Sequence, residues 1–141
     1  MPVANLRHTR MTQQILIISD DEANDALQRA LEARACKTTL AADADEGYRQ
    51  LVKTQFDLVV VNVAKANAGA ELIRRIRSNP GLAGLKVLTL AEWGTGQGSL
   101  ALSYGADAFE PKPINSDRVV TAIEKLLRLT MTAVGSNGSR E

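Results

Sequence analysis

The chain has 141 residues, 45% of them hydrophobic, which is the size of one ordinary domain able to bury a full core without disulfides or a structural metal. A formal net charge of +1 argues against long-range attraction to nucleic acid or an anionic membrane, and a single cysteine, Cys36, excludes an intramolecular disulfide or a multi-cysteine metal site. No apolar run approaches the ~20 residues needed to span a bilayer, so a soluble, cytoplasmic protein is expected.

Residues 1–13 carry Pro2, Arg7, His8 and Arg10 without a sustained apolar period and read as a weakly ordered leader, with His8 an exposed, functionless side chain. Ile15–Ile18 (ILII) is a β-branched strand that runs directly into Ser19, Asp20, Asp21 and Glu22. Ala23, Ala26, Leu27, Ala30 and Leu31 then recur at helical spacing, and Asp21 and Glu22 suit that helix's start. Capping does not account for Asp20, which belongs to the carboxyl end of the strand. Lys37–Ala41 predicts a second strand, and Asp43 or Asp45 caps a helix with Ala44, Tyr48, Leu51 and Val52 on its inner stripe.

Asp57–Ala64 (DLVVVNVA) is the most apolar β-branched run, a strand buried on both faces with one polar residue, Asn62, at its carboxyl end. Ala68–Arg77 follows as a helix with Leu72, Ile73 and Ile76 inward and Arg74, Arg75 and Arg77 outward, read as a solvated face at the helix's negative pole, with contact to an acidic partner as the alternative. Lys86–Ala91 is a fourth strand. The glycine-rich stretch after it, residues 92–98 (EWGTGQG), reads as a flexible loop, since it lacks the lysine and hydroxyl ending of a P-loop. Ser99 is expected to cap a short helix that Gly105 terminates, ahead of a fifth strand over Ala106–Phe109 and then Pro111, Lys112 and Pro113. Ser116 is expected to cap a last helix with Val119, Ile123, Leu126 and Leu127 inward, and residues 130–141 read as a flexible tail.

Five strands alternating with five helices predict an α/β fold: a (βα)5 doubly wound parallel five-stranded sheet over residues 14–129, with the flavodoxin-like order 2-1-3-4-5. In that order the first and third strands end beside a topological switch point, so Ser19, Asp20, Asn62, Ala91 and Lys112 are expected to line one pocket.

Four features, ILIISDDEAN, DLVVVNV, GADAFEPKP and the spacing between them, resemble the response-regulator receiver domain (CheY-like) of two-component and phosphorelay signalling. The resemblance implies a carboxylate nucleophile ending strand three, two acids after strand one that hold Mg²⁺, a small hydroxyl residue after strand four and a lysine after strand five. Here those positions hold Asn62, then Ser19 and Asp20, then Ala91, then Lys112. The switch aromatic corresponds to Phe109, and the Lys112–Pro113 bond to one that is cis in the family. An amide cannot attack phosphorus as a carboxylate does.

Ser19 removes a second charge from the pocket, and Asp20 and Lys112 are expected to pair directly or through Asn62, giving a degenerate pseudo-receiver with no metal or catalytic residue and no resident cofactor. Weak Mg²⁺ binding through Asp20 and Asp21 stays open. The expected role is non-enzymatic: binding another signalling protein, whether kinase, output domain or regulator, through the fourth helix, fifth strand and fifth helix, with neither nucleic acid nor membrane as partner. A homodimer also stays open. The alternatives are a phosphoacceptor that uses Asp20 or Asp21 with Mg²⁺, a small-ligand binder at the 92–98 loop, and a vestigial domain without a role.

Overall fold

The structure, a computed structural model, describes residues 12–20, 24–63, 68–92 and 94–139, with side chains as far as residue 128. Its apolar runs form five strands: β1 (Gln13–Ser19), β2 (Cys36–Ala41), β3 (Leu58–Asn62), β4 (Lys86–Glu92) and β5 (Ala108–Lys112). All neighbours are parallel and the order is β2-β1-β3-β4-β5, as expected. Between and after the strands lie α1 (Asp25–Glu32), α2 (Ala44–Lys53), α3 (Ala68–Arg77), α4 (Gln97–Tyr104) and α5 (Ser116–Ser139). Among the described residues no helix is long and apolar enough to cross a membrane.

Alternation along the strands divides the core into two layers. Leu16, Ile18, Val59, Val61 and Val87 face α2, α3 and Ala101 of α4, whereas Ile15, Ile17, Leu58, Val60 and Leu88 face α1 and α5. β1 and β3 are covered on both sides, which is why ILII and LVVV are continuous apolar runs rather than alternating ones. Gly47 brings α2 against β1: a Cβ there would lie 2.3 Å from Ile18 Cδ1.

Of the two caps expected for α2 it is Asp43 that serves: its Oδ1 accepts the Glu46 N–H at 2.8 Å, while Glu46 Oε1 accepts the Ala42 N–H at 3.2 Å. Several other local expectations are corrected. Val52 is 54% exposed and does not join the inner stripe. α4 starts at Gln97, behind a left-handed Gly96 (φ 80°), so Ser99 is within the helix and the loop ahead of it is short. β5 begins two residues later than expected and takes in Pro111 and Lys112, which an edge strand tolerates because a missing N–H leaves no inner partner unsatisfied. The cap of α5 is Asn115, whose Oδ1 accepts the Arg118 N–H at 3.1 Å, and Ser116 is the first helical residue. The helical backbone of α5 continues to Ser139.

Arg77 is only partly exposed, and its guanidinium is turned to partners within the fold. Its Nε and Nη1 donate to the carbonyls of Gly105 and Leu85, both at 2.9 Å, and its Nη2 meets Asp107 Oδ2 at 2.8 Å. The same Asp107 oxygen accepts the Val87 N–H at 2.8 Å, so one ion pair joins α3, β4 and the turn before β5. At the amino edge of the sheet Asp57 has a similar role: its Oδ2 accepts the Gln14 N–H at 2.7 Å, its own N–H donates to the Gln14 carbonyl at 2.8 Å, and its carbonyl accepts the Lys86 N–H at 3.4 Å.

Candidate functional site

The parallel register sets Ser19 directly beside Asn62 at the carboxyl ends of the two central strands. Both are buried, and Asn62 Nδ2 donates to Ser19 Oγ at 3.2 Å. The Asp20 N–H donates to the Asn62 carbonyl at 3.3 Å, which holds the first residue after β1 against the end of β3. The Asp20 side chain itself is exposed. Asn62 Oδ1 is buried and accepts no hydrogen bond. A serine hydroxyl both donates and accepts, so it can satisfy either end of the amide but leaves the other without a partner.

β4 brings a buried hydroxyl near the site, but at the wrong height. Thr89 Oγ1 donates to the Val61 carbonyl at 3.3 Å, between β3 and β4, and the residue two positions on, where the hydroxyl is expected, is the buried Ala91. Ala91 stands in register with Pro111, and Glu92 with Lys112. Lys112 is half-buried and its bond to Pro113 is cis. Among the described residues no carboxylate pairs with Lys112, so the expected Asp20–Lys112 ion pair is not formed. The contact that closes the site is instead between Asn62 and Ser19.

Phe109 pairs in register with Thr89, and its ring packs close against Gly98 in the first turn of α4, where no side chain intervenes. A Cβ on Gly98 would come within 2.6 Å of the ring. Gly94 and Gly96 take positive φ values of 81° and 80° in the turn before α4. The three glycines of the loop therefore have backbone and packing roles, without recourse to a bound phosphate.

Ser19, Asp20, Asn24, Asp25, Ala41 and Glu46 border a cleft of about 500 Å³ beside this site. Asp25 and Glu46 make that side of the molecule more acidic than the pairing of Asp20 with Lys112 suggests. Neither was legible as a site residue, because each also fits a helix's first turn. Among the described residues no three histidine, cysteine, aspartate or glutamate side chains gather as a metal-binding group. Asp21, the other acid considered for a metal or a phosphoryl group, lies outside the described residues, as do His8, Glu22 and Trp93.

Residues 15–124 match the model of the response regulator receiver domain, and the chain belongs to that family. It is 29% identical over 131 residues to response regulator MprA of Mycolicibacterium vanbaalenii, an alignment that covers 92% of this chain and 56% of that protein. The chain thus spans about half the length of the curated relatives it matches. Among solved structures, a CheY-like response regulator receiver domain protein of Methanospirillum hungatei JF-1 is similar with a TM-score of 0.77 and 26% identity, covering 86% of this chain and 98% of that one. The signal receiver domain of a signal transduction histidine kinase from Syntrophus aciditrophicus gives a TM-score of 0.73 at 25% identity, over 92% and 94% of the two chains. The fold, the site's position and the family agree: this is a receiver domain of two-component signalling.

Proposed function

We propose that this receiver domain does not accept a phosphoryl group and acts by binding another signalling protein. The observation that carries this reading is the buried Asn62 amide, hydrogen-bonded to Ser19, at the position where the family's nucleophilic carboxylate stands. An amide's nitrogen lone pair is delocalised into its carbonyl, so Asn62 is no nucleophile toward phosphorus. Ala91 supplies no hydroxyl for phosphoryl oxygens, and of the expected set only Asp20 and Lys112 keep their chemistry. A resident Mg²⁺ is no part of this reading. A hard dication needs several charged or strongly polar oxygens, and at the matched acid positions the described residues offer one carboxylate, Asp20.

The contact surface in this reading is formed by α4, β5 and α5. Two features support it: no charged residue occurs between Glu92 and Asp107, and Leu102 on α4 is 43% exposed. An uncharged, partly apolar surface helix in a chain that is 23% charged matches the depletion of charge at interface centres.

Incubating the chain with Mg²⁺ and acetyl phosphate, followed by intact-mass measurement, is expected to give no adduct. A stoichiometric adduct, including one that maps to Asp20 or Asp21, overturns the first half of the proposal. Leu102→Glu is expected to abolish capture of the cognate partner without lowering the melting temperature, and unchanged capture overturns the second half.

A further inference from the structure

The family's chemistry and the α4–β5–α5 surface leave one constructed feature without a role: the cleft between α2 and α3, about 580 Å³, lined by Tyr48, Glu71, Arg74, Arg75, Ser78 and Asn79. Two adjacent arginines on its wall are held in place from outside. The Arg75 guanidinium lies 4.2 Å from the centre of the Tyr48 ring and its Nη1 meets Asp45 at 3.1 Å, while Arg74 Nη2 meets Glu71 at 2.8 Å. Each leaves the rest of its donor fork unengaged, already ordered by its first partner. Tyr48 is similarly prepared: its hydroxyl oxygen accepts from Asn79 Nδ2 at 3.1 Å, so its own proton remains available to donate. Three sets of donors thus border one cleft in which Glu71 is the single acid.

Asp45 balances Arg75 as Glu71 balances Arg74, so the excess positive charge of the surrounding surface comes from α2. Arg49 and Lys53 on α2 are exposed and form no ion pair with any described residue. Val52, between them, is the most exposed large hydrophobic residue described, at 54%. Asn79 also borders a second cavity, about 590 Å³, that includes Val52 and Lys53, so the two hollows adjoin.

We propose that the α2–α3 surface is a docking site for an acidic segment of a partner protein, in which a carboxylate enters the Tyr48–Arg74–Arg75 cleft and an apolar neighbour covers Val52. The charge complementarity is local, since the chain as a whole carries only +1. A carboxylate fits better than a polyphosphate backbone, because Asp45 and Glu71 stand beside the two arginines and would repel a run of phosphates. Tyrosine and arginine around an exposed apolar residue also form the composition of protein-binding hot spots.

The test is a ¹⁵N-NMR titration of the full chain with a short, otherwise neutral peptide carrying one glutamate beside one leucine, at about 0.1 M salt, where distant charges are screened. Saturable shifts confined to Tyr48, Val52, Arg74, Arg75 and Ser78 are expected. Reversing both arginines (Arg74→Glu with Arg75→Glu) should weaken binding by at least about tenfold. Arg75→Lys, which keeps the charge but loses the fork, should give an intermediate loss. Because Arg75 also stacks on Tyr48, Val52→Asp serves as a second variant at a position outside the core, and it should weaken binding without altering the melting temperature. No binding, shifts spread over all surface cations, or unchanged affinity in these variants overturns the proposal. So does equal or tighter binding at the same residues by an RNA oligonucleotide or by anionic phospholipid vesicles.

Discussion

In the proposed reading the amide at position 62 alters the site twice, by standing where the family's nucleophile would be and by inserting a donor that ties Ser19 to the end of β3. Restoring a carboxylate therefore requires changes at both positions. Asn62→Asp alone would place a charge against a buried serine and should lower stability at neutral pH, by the ~1–3 kcal/mol typical of an unsatisfied buried polar group. Asn62→Asp with Ser19→Asp rebuilds the acid cluster with Asp20, and it should acquire Mg²⁺-dependent stabilisation in a thermal melt. A double variant whose melting temperature ignores Mg²⁺ would show that the scaffold, and not these two residues, excludes the ion. Cys36 is a quieter case. Burial first, then the nearby Glu124 carboxylate, raise its thiol pKa above the ordinary value. At a pH of about 8 its alkylation by iodoacetamide should be slower than that of an unstructured cysteine, because the thiolate is the reacting form.

At the scale of elements, glycines and caps govern how helices meet strands. Gly98→Ala would drive a methyl group into the Phe109 ring, and since an aromatic ring cannot yield as a flexible chain end does, α4 or the ring must shift. The expected cost is about 1–3 kcal/mol, with altered chemical shifts for Phe109, and a variant that melts like the parent would show that the ring moves freely. Asp43→Ala removes the cap of α2 and should cost about 1 kcal/mol in denaturant titrations. These element ends were also where sequence reasoning was weakest. Asp43 and Asp45 both look like caps in one dimension, as do Ser99 against Gly96 and Ser116 against Asn115. Backbone dihedrals decide between them, and those depend on how each loop crosses the sheet edge.

For the whole molecule, two apolar layers on one sheet imply a single cooperative unit. Ile17, fully buried on β1, should lose about 2–5 kcal/mol on substitution by alanine, with heat and denaturant transitions still coincident. Arg77 extends that unit to its periphery. Removing it would leave Asp107 without its cation and the Gly105 and Leu85 carbonyls without their donor, so Arg77→Ala should destabilise far more than Arg74→Ala, whose Glu71 pair is exposed on both sides. Equal melting temperatures for those two variants would refute the distinction.

The amino-acid sequence by itself determined the strand count, the doubly wound class and the carboxyl-end position of Ser19, Asp20, Asn62, Ala91 and Lys112, because apolar periodicity and parallel-sheet chirality leave few alternatives. It also singled out Asn62, on which the proposed function rests. Tertiary structure alone decided how that position is satisfied. Whether Asp20 meets Lys112 or Asn62 meets Ser19 depends on strand register and side-chain reach in space, and the register favours the neutral pair. The same holds for Arg77, drawn from an apparently solvated helix face into three hydrogen-bonding partners, and for the cleft between α2 and α3, whose donors come from segments that only folding brings together.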